Sequence, residues 1–367
     1  MTMVPMVWAL RSAGHEVLVA GQEDVVRAAE AAGLPSALLG DRSGDSGRRT
    51  APGHLGGGRA VQHGGAWDSR WETLGKRWLG RADAVLDDYL ALGRRWRPDL
   101  VLCDPIEFSG LIAGGVLGVP VVFHRYGPDL LTTQALEAAR EILRPVAVEA
   151  GLAALPEPAL IIDPCPPGLQ HPEASPARPM RYLPYNGTGA LPGWRSEGSE
   201  RVLISLGTRS LDLEGRGDVL ATALRACEGL QTVVTCIPEH QEALRAQAPA
   251  SVRIVDPVPL HLIMDGFDCL VNHGGGGTFH TALYYGVPQV LVAADHPVLR
   301  MSGERLAEYG AGRMVPAEQC SAEQVREAVL DVLRNPAYRA AAGRLRAEMA
   351  AQPSPAELVG TLLSLAG

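Results

Sequence analysis

Residues 269–292 read CLVNHGGGGTFHTALYYGVPQVLV, and no other segment restricts the possible folds as tightly. A short apolar run ends at Asn272-His273. Four glycines and Thr278 then open a helical stretch that runs to Gly286, and a Val/Leu-rich run follows from Gln289. Two buried strands joined through a helix must lie parallel, because an antiparallel pair needs only a tight turn while a parallel pair needs a crossover. Such crossovers are right-handed and lay their helix on the face of the sheet. The segment therefore predicts a βαβ unit within a parallel sheet covered on both faces.

The rest of the chain repeats the pattern. In the first half, strand-like runs at Glu16–Ala20, Asp99–Cys103, Val119–His124 and Leu160–Asp163 alternate with helical stretches. Two of these are Gln22–Ala32, closed by Gly33, and Asp129–Ala150, closed by Gly151. In the second half the expected strands are Arg201–Leu206, Thr232–Ile237, Cys269–Asn272 and Gln289–Val292. Helices are expected around Val219–Gly229 and from Gly277, with amphipathic helices filling the remainder. Between the halves, NGTGALPGWRSEGSE is rich in Gly, Pro and Ser and lacks periodicity, as a linker does. The 367 residues thus divide into an α/β domain at 1–185, a linker at 186–200 and a second α/β domain at 201–367.

Two stretches break the rhythm. Asp41–Gly65 is crowded with Gly, Ser and Arg and is too long for a simple connection, which predicts a mobile flap over a site. The sequence also opens on an amphipathic helix, Met3–Ala13, where a doubly wound domain opens on a strand interior to its sheet. On this reading the chain begins about one strand and one turn late, and the expected first strand is missing.

Charge removes whole classes of partner. Acidic residues (41) outnumber basic ones (33) for a net charge of −8, and no Lys/Arg cluster stands ready to track a phosphate backbone. Nucleic acid is not an expected partner. No apolar run approaches the roughly 18 residues of a membrane span. Cysteines at 103, 165, 227, 236, 269 and 320 are too scattered for a zinc or redox pair, and two end apolar runs, so they read as reduced core thiols. No signal peptide precedes the first element, so a cytoplasmic protein is expected. A homodimer is an allowed assembly.

The glycine run carries the chemistry. Glycines at a strand–helix junction let backbone N–H groups approach an anion without Cβ interference, and the helix N-terminus adds roughly half a positive charge. Thr278 can cap the helix or donate to a phosphate oxygen, and His273 can add a further hydrogen bond. Close strand–helix packing needs fewer than four consecutive glycines, so phosphate binding is the favoured reading. The run is not a dinucleotide fingerprint: stepping G-x-G-x-x-G from Gly274 lands on Phe279, and from Gly275 on His280. It is not a Walker A loop either, because no Lys-Ser/Thr follows.

Strand–H-x-G-x-G-[ST]–helix–G-x-P-x-[LV] in the second of two Rossmann-like domains resembles the nucleotide-sugar glycosyltransferases of GT-B fold, family 1. More narrowly, the chain is similar to actinobacterial antibiotic glycosyltransferases that use dTDP-deoxysugars on polyketide aglycones. Further stretches carry the likeness: MVPMVWALRSAGHEVLVA (3–20), RPDLVLCDP (97–105), GVPVVFHRYG (118–127), DPCPPGLQ (163–170), MRYLPYNGTG (180–189) and ISLGTR (204–209). Together they span nearly the whole chain. The resemblance implies two doubly wound domains facing across a cleft, the first binding acceptor and the second binding nucleotide sugar. It also implies a last helix that crosses back to the first domain.

The resemblance then implies roles. His273, Gly275, Gly276, Gly277 and Thr278 fall on the diphosphate segment, and Gly207 and Thr208 on a loop that reaches the donor phosphates. Val255–Leu260, with Val255 and Val258, falls on the loop that holds the base. Thr281 occupies the place where many members carry a ribose-binding Glu; a side chain without carboxylate fits a deoxyribose and favours dTDP over UDP. The Asp-Gln pair that grips the sugar would fall at Val298 and Leu299, which leaves Asp295 and His296 as sugar-side candidates. The general-base His has no counterpart in the chain. Asp104 matches an orienting carboxylate, with an N-cap for the helix after Pro105 as the alternative.

Acceptor contacts are read from position. His124 and Arg125 end a strand facing the cleft, where contact with acceptor or phosphate competes with ion pairing. Trp67, Trp71 and Trp78 with Leu74 form one helical stripe, which is either core or the wall of an aglycone pocket. The implied reaction is inverting transfer with no cofactor beyond the dTDP-sugar donor, and with no metal, since no Asp-x-Asp occurs. A non-catalytic relative that binds nucleotide sugar or aglycone as a partner protein is the rival reading. A nucleotide-sugar epimerase is a third, disfavoured by the flap and the tryptophans.

Overall fold

The computed structural model of the chain describes residues 2–40, 66–129, 131–194, 201–206, 216–293, 297–316 and 320–367. The first half contains α1 (Val4–Ser12), β1 (Val19–Gly21), α2 (Glu23–Ala31), β2 (Ser36–Leu38) and α3 (Ala66–Trp96). It continues with β3 (Val101–Cys103), α4 (Phe108–Leu117), β4 (Val121–His124), α5 (Leu131–Ile142), α6 (Arg144–Glu149), β5 (Leu160–Asp163) and β6 (Arg178–Pro179). Its strands form two parallel pieces, β1-β2 and β3-β4-β5-β6, and among the described residues no strand joins them. The break falls where a doubly wound order would set an interior strand. Helix α1 spans it: Met6, at 0% exposure, packs with Val122, Ile162 and Met180, while Val4 and Val7 pack with Ala29, Ala32 and Leu34.

The second half contains β7 (Arg201–Ser205), α7 (Arg216–Ala226), β8 (Gln231–Thr235), α8 (Pro238–Arg245), β9 (Val252–Val255) and β10 (Cys269–Asn272). Then follow α9 (Gly276–Tyr285), β11 (Gln289–Ala293), α10 (Pro297–Tyr309), β12 (Gly312–Pro316), α11 (Ala322–Arg334), α12 (Pro336–Ala351) and α13 (Pro355–Ala366). All six strands are parallel in the order β12-β11-β10-β7-β8-β9, so the chain reverses direction across the sheet between β7 and β10. This is the Rossmann-type switch point, at whose carboxyl edge ligands bind. The central strand β10 is buried throughout, as a strand covered on both faces must be.

Several expectations are refined. The single helix expected over Asp129–Ala150 is two, α5 and α6, because Pro145 at the start of α6 cannot donate back to the preceding turn. Strand β12 stands where only helices were expected. It is an edge strand ending in Pro316, whose missing N–H is tolerated there. Trp78 and Leu74 are core, 7% and 6% exposed, and the Trp78 ring meets Phe108 edge-on at 4.9 Å. Five cysteines are buried and all six are free thiols. Among the described residues no helix is long and apolar enough to cross a membrane. The flap at 41–65 and the second part of the linker, 195–200, lie outside the described residues.

Helix α13 leaves the second half and docks on the first. Leu358, Val359 and Leu362 pack with Met6, Val122 and Ile162. Its start is held by a capping box, in which Ser354 and Glu357 satisfy each other's backbone N–H groups. A second joint is apolar: Cys165, Leu169 and Tyr182 from the first half pack with Phe279, Leu283 and Leu345 from the second.

Candidate functional site

The turn from β10 into α9 stands at the carboxyl edge of the six-stranded sheet, beside the switch point. Asn272, at 0% exposure, shapes it: Oδ1 accepts the Gly274 N–H at 2.7 Å, and Nδ2 donates to Gln289 Oε1 at 2.9 Å. Gln289 Nε2 donates onward to the Phe279 carbonyl at 3.2 Å. Gly274 takes φ +86°, a left-handed conformation that a β-carbon disfavours. Sequence reasoning missed the Asn272–Gln289 pair, although two amides at the ends of adjacent buried strands are a visible signal.

Helix α9 starts from Gly275 without a side-chain cap, and the Phe279 N–H donates to the Gly275 carbonyl at 2.9 Å. The amides ahead of Phe279 in the first turn stand outside the helical ladder and carry the positive end of the dipole. His273 and residues 275–278 keep partial exposure, whereas 279–283 are buried. The first turn is open, and the helix behind it is packed.

The glycines also serve the joint between domains. A Cβ on Gly276 would stand 2.5 Å from the Tyr126 carbonyl oxygen, so the first domain's loop after β4 lies directly against this turn. A Cβ on Gly275 would stand 2.4 Å from His273 Nε2, so the imidazole covers that position. Packing therefore uses these two glycines, one against the other domain and one against a neighbouring ring, and neither contact is the strand–helix packing that the sequence reading set aside. At Gly277 a Cβ would approach only Asn186 Nδ2, at 3.9 Å. The turn faces the seam between the domains, not the outside of the second one.

At the end of β9 and just past it, Val255 and Val258 line a cavity of about 360 Å³ together with Trp194, Arg253 and Asp256. The Arg253 guanidinium lies 5.2 Å from the centre of the Trp194 ring. Trp194 was not singled out from sequence, and its signal is an aromatic residue within an otherwise polar linker. The far end of this loop is tied to α9, because Tyr285 donates its hydroxyl to the His261 carbonyl at 2.8 Å.

Other expected site residues fare differently. Thr281 is corrected: it is 0% exposed and its hydroxyl donates to the Gly277 carbonyl at 2.7 Å, so it presents nothing to a ribose. His124 is corrected as well. At 1% exposure it has no surface to offer an acceptor. Arg125 follows the ion-pairing alternative, with Nη1 on Asp163 Oδ2 at 3.1 Å and Nη2 on the Ser175 carbonyl at 2.8 Å. Asp104 does not cap α4, which starts later with Glu107 at its N-cap; its Oδ1 accepts the Ile106 N–H at 3.0 Å. Burial pushes the Asp104 carboxyl up to about 6, against one backbone hydrogen bond that pulls it down. Gly207, Thr208, Asp295 and His296, and the side chains of Trp67 and Trp71, lie outside the described residues.

The profile described as erythromycin biosynthesis protein CIII-like, N-terminal domain, matches residues 8–207, and the corresponding C-terminal domain matches residues 224–365. The chain is 34% identical to tylactone mycaminosyltransferase of Streptomyces fradiae, over 98% of this chain and 88% of the relative. It is 32% identical to 3-alpha-mycarosylerythronolide B desosaminyl transferase of Saccharopolyspora erythraea, over 99% and 94% respectively. The solved structure of the spinosyn rhamnosyltransferase SpnG matches with a TM-score of 0.88 at 34% identity, covering 99% of this chain and 95% of that one. SpnG has also been solved with the spinosyn aglycone and with thymidine diphosphate.

Proposed function

The chain belongs to the erythromycin biosynthesis protein CIII-like glycosyltransferases, enzymes of GT-B fold, and from that premise we propose its reaction. It transfers a deoxysugar from a dTDP-sugar to a hydroxyl of a hydrophobic, polyketide-type aglycone, with inversion and without a metal ion. The observation that carries this reading is the uncapped, partly exposed first turn of α9, faced across the seam by Tyr126 of the other domain.

As the anomeric bond breaks, negative charge collects on the departing diphosphate. Backbone amides and a helix dipole already aimed at that position stabilise the charge as it forms, and one such donor is typically worth about 3 kcal/mol. His273, beside the turn, adds a ring N–H. In the proposed single displacement the acceptor hydroxyl attacks from the face opposite the departing diphosphate, which inverts the anomeric carbon. Asp104, with its carboxyl near 6, is largely ionised at neutral pH and can orient or accept a proton at the end of β3.

The wall of Trp194, Val255 and Val258 suits a pyrimidine carrying a methyl group. Thymine preference rests on that wall and on the thymidine diphosphate complex of SpnG. Calorimetric titration with TDP and dUDP, which differ only in the 5-methyl group, tests the donor reading. TDP should bind tighter by about fourfold, the worth of one buried methyl group. Equal affinities remove the thymine preference, and absence of binding by either removes the donor site.

A further inference from the structure

Asn186 stands in the stretch between the two sheets, yet its side chain reaches two parts of the second domain at once. Oδ1 accepts the His261 N–H at 3.1 Å, at the far end of the loop that begins with Val255. Nδ2 donates to Thr281 Oγ1 at 3.0 Å, and Thr281 passes its own proton to the Gly277 carbonyl at 2.7 Å. The backbone N–H of His261 can only donate, so the amide orientation is forced and both ends are used. Tyr182, 2% exposed, adds a second hold by donating its hydroxyl to the same Gly277 carbonyl at 3.1 Å. Gly277 lies in the first turn of α9, and His261 closes the loop whose valines line the cavity with Trp194.

We propose that Asn186 is a positioning residue that sets the distance between the base loop and the diphosphate turn, so that one nucleotide can engage both. The proposal rests on the donor-site reading above and deepens it. A ligand touching two elements gains from their correct spacing, because the second contact forms intramolecularly; a ligand touching one element does not feel the spacing. Base and diphosphate recognition are thereby joined through a residue of the interdomain stretch, which also links donor occupancy to the position of the first domain.

The test compares a whole ligand with its halves. TDP, thymidine and pyrophosphate are titrated against the wild-type chain and against Asn186→Ala, Asn186→Asp and Thr281→Val. Asn186→Ala should weaken TDP by about tenfold or more while changing thymidine and pyrophosphate by less than about twofold each. Asn186→Asp keeps the acceptor for His261 and loses the donor to Thr281, and should fall between. Thr281→Val, which removes the relay at nearly constant volume, should follow Asn186→Ala and serves if that variant does not fold. If TDP and both halves weaken together, the role is merely structural and the proposal falls. If wild type binds TDP and the variants bind it equally, the proposal falls while the donor reading stands. If wild type binds none of the three, both fall.

Discussion

His124 and His280 are buried to 1% and 0% exposure, one at the end of β4 and the other inside α9. His280 Nδ1 donates to the Gly276 carbonyl at 2.9 Å, which sets its tautomer. Its Nε2 and both nitrogens of His124 have no hydrogen-bond partner among the described residues. Burial lowers each imidazole from 6.5 to about 4. A lowered basic pKa means that the unfolded chain takes up a proton which the folded chain refuses. The stability these residues contribute is whole above 6.5 and is lost as pH falls toward 4. By about pH 5 the loss is about 2 kcal/mol for each histidine. Buried Asp129 and Asp163 and half-buried Asp104, whose carboxyls desolvation pushes up, act in the opposite sense, so the measurement must be a difference. His124→Asn should show a smaller drop in Tm between about pH 7.5 and about pH 5 than wild type does. A drop of equal size would refute the assignment.

At the level of elements, the β10–α9 turn separates two glycines that look alike in sequence. An alanine methyl at Gly276 meets a carbonyl oxygen of the opposite domain, and backbone cannot yield as a flexible side chain does. Gly276→Ala should therefore destabilise by about 1–3 kcal/mol, the usual cost of overpacking. Gly277→Ala has open space before it and a better helix former in place, and should be neutral or stabilising by up to about 1 kcal/mol. Thermal denaturation of the two variants side by side decides it. Equal destabilisation would mean that the glycines serve a common backbone requirement and not the domain joint.

Across the whole molecule, the last helix belongs by position to the second domain and by contact to the first. Leu362, at 1% exposure, fills the space between α1 and the β4–β5 face. Leu362→Ala should cost about 2–5 kcal/mol, as large-to-small core changes do. Amide hydrogen exchange locates the damage: protection should fall in β4 and β5 and persist in β7, β10 and β11. Loss confined to the second domain would show that α13 does not strap the two together. The same logic applies to the broken parallel sheet of the first half, whose two pieces are bridged by the apolar faces of α1.

What the sequence determined by itself is what short-range rules govern. Period and β-branching placed Leu160–Asp163 and Cys269–Asn272 to the residue, because a strand buried on both faces reads as an unbroken apolar run. The four glycines announced a junction of special backbone geometry, and the resemblance they carried led to the family. What only tertiary structure decided is where side chains spend their polar groups. Asn186 meets Thr281 across 95 positions, and Tyr182 meets Gly277 across 95 as well. The resemblance assigns Thr281 to a ligand, and a place at the end of a strand assigns His124 to one, yet both are buried, Thr281 beneath Asn186 and Tyr182 from far along the chain. Periodicity reports which face of an element is apolar. It carries no record of the distant segment that arrives to cover that face, and that segment decides whether a hydroxyl or an imidazole meets a substrate or the protein's own backbone.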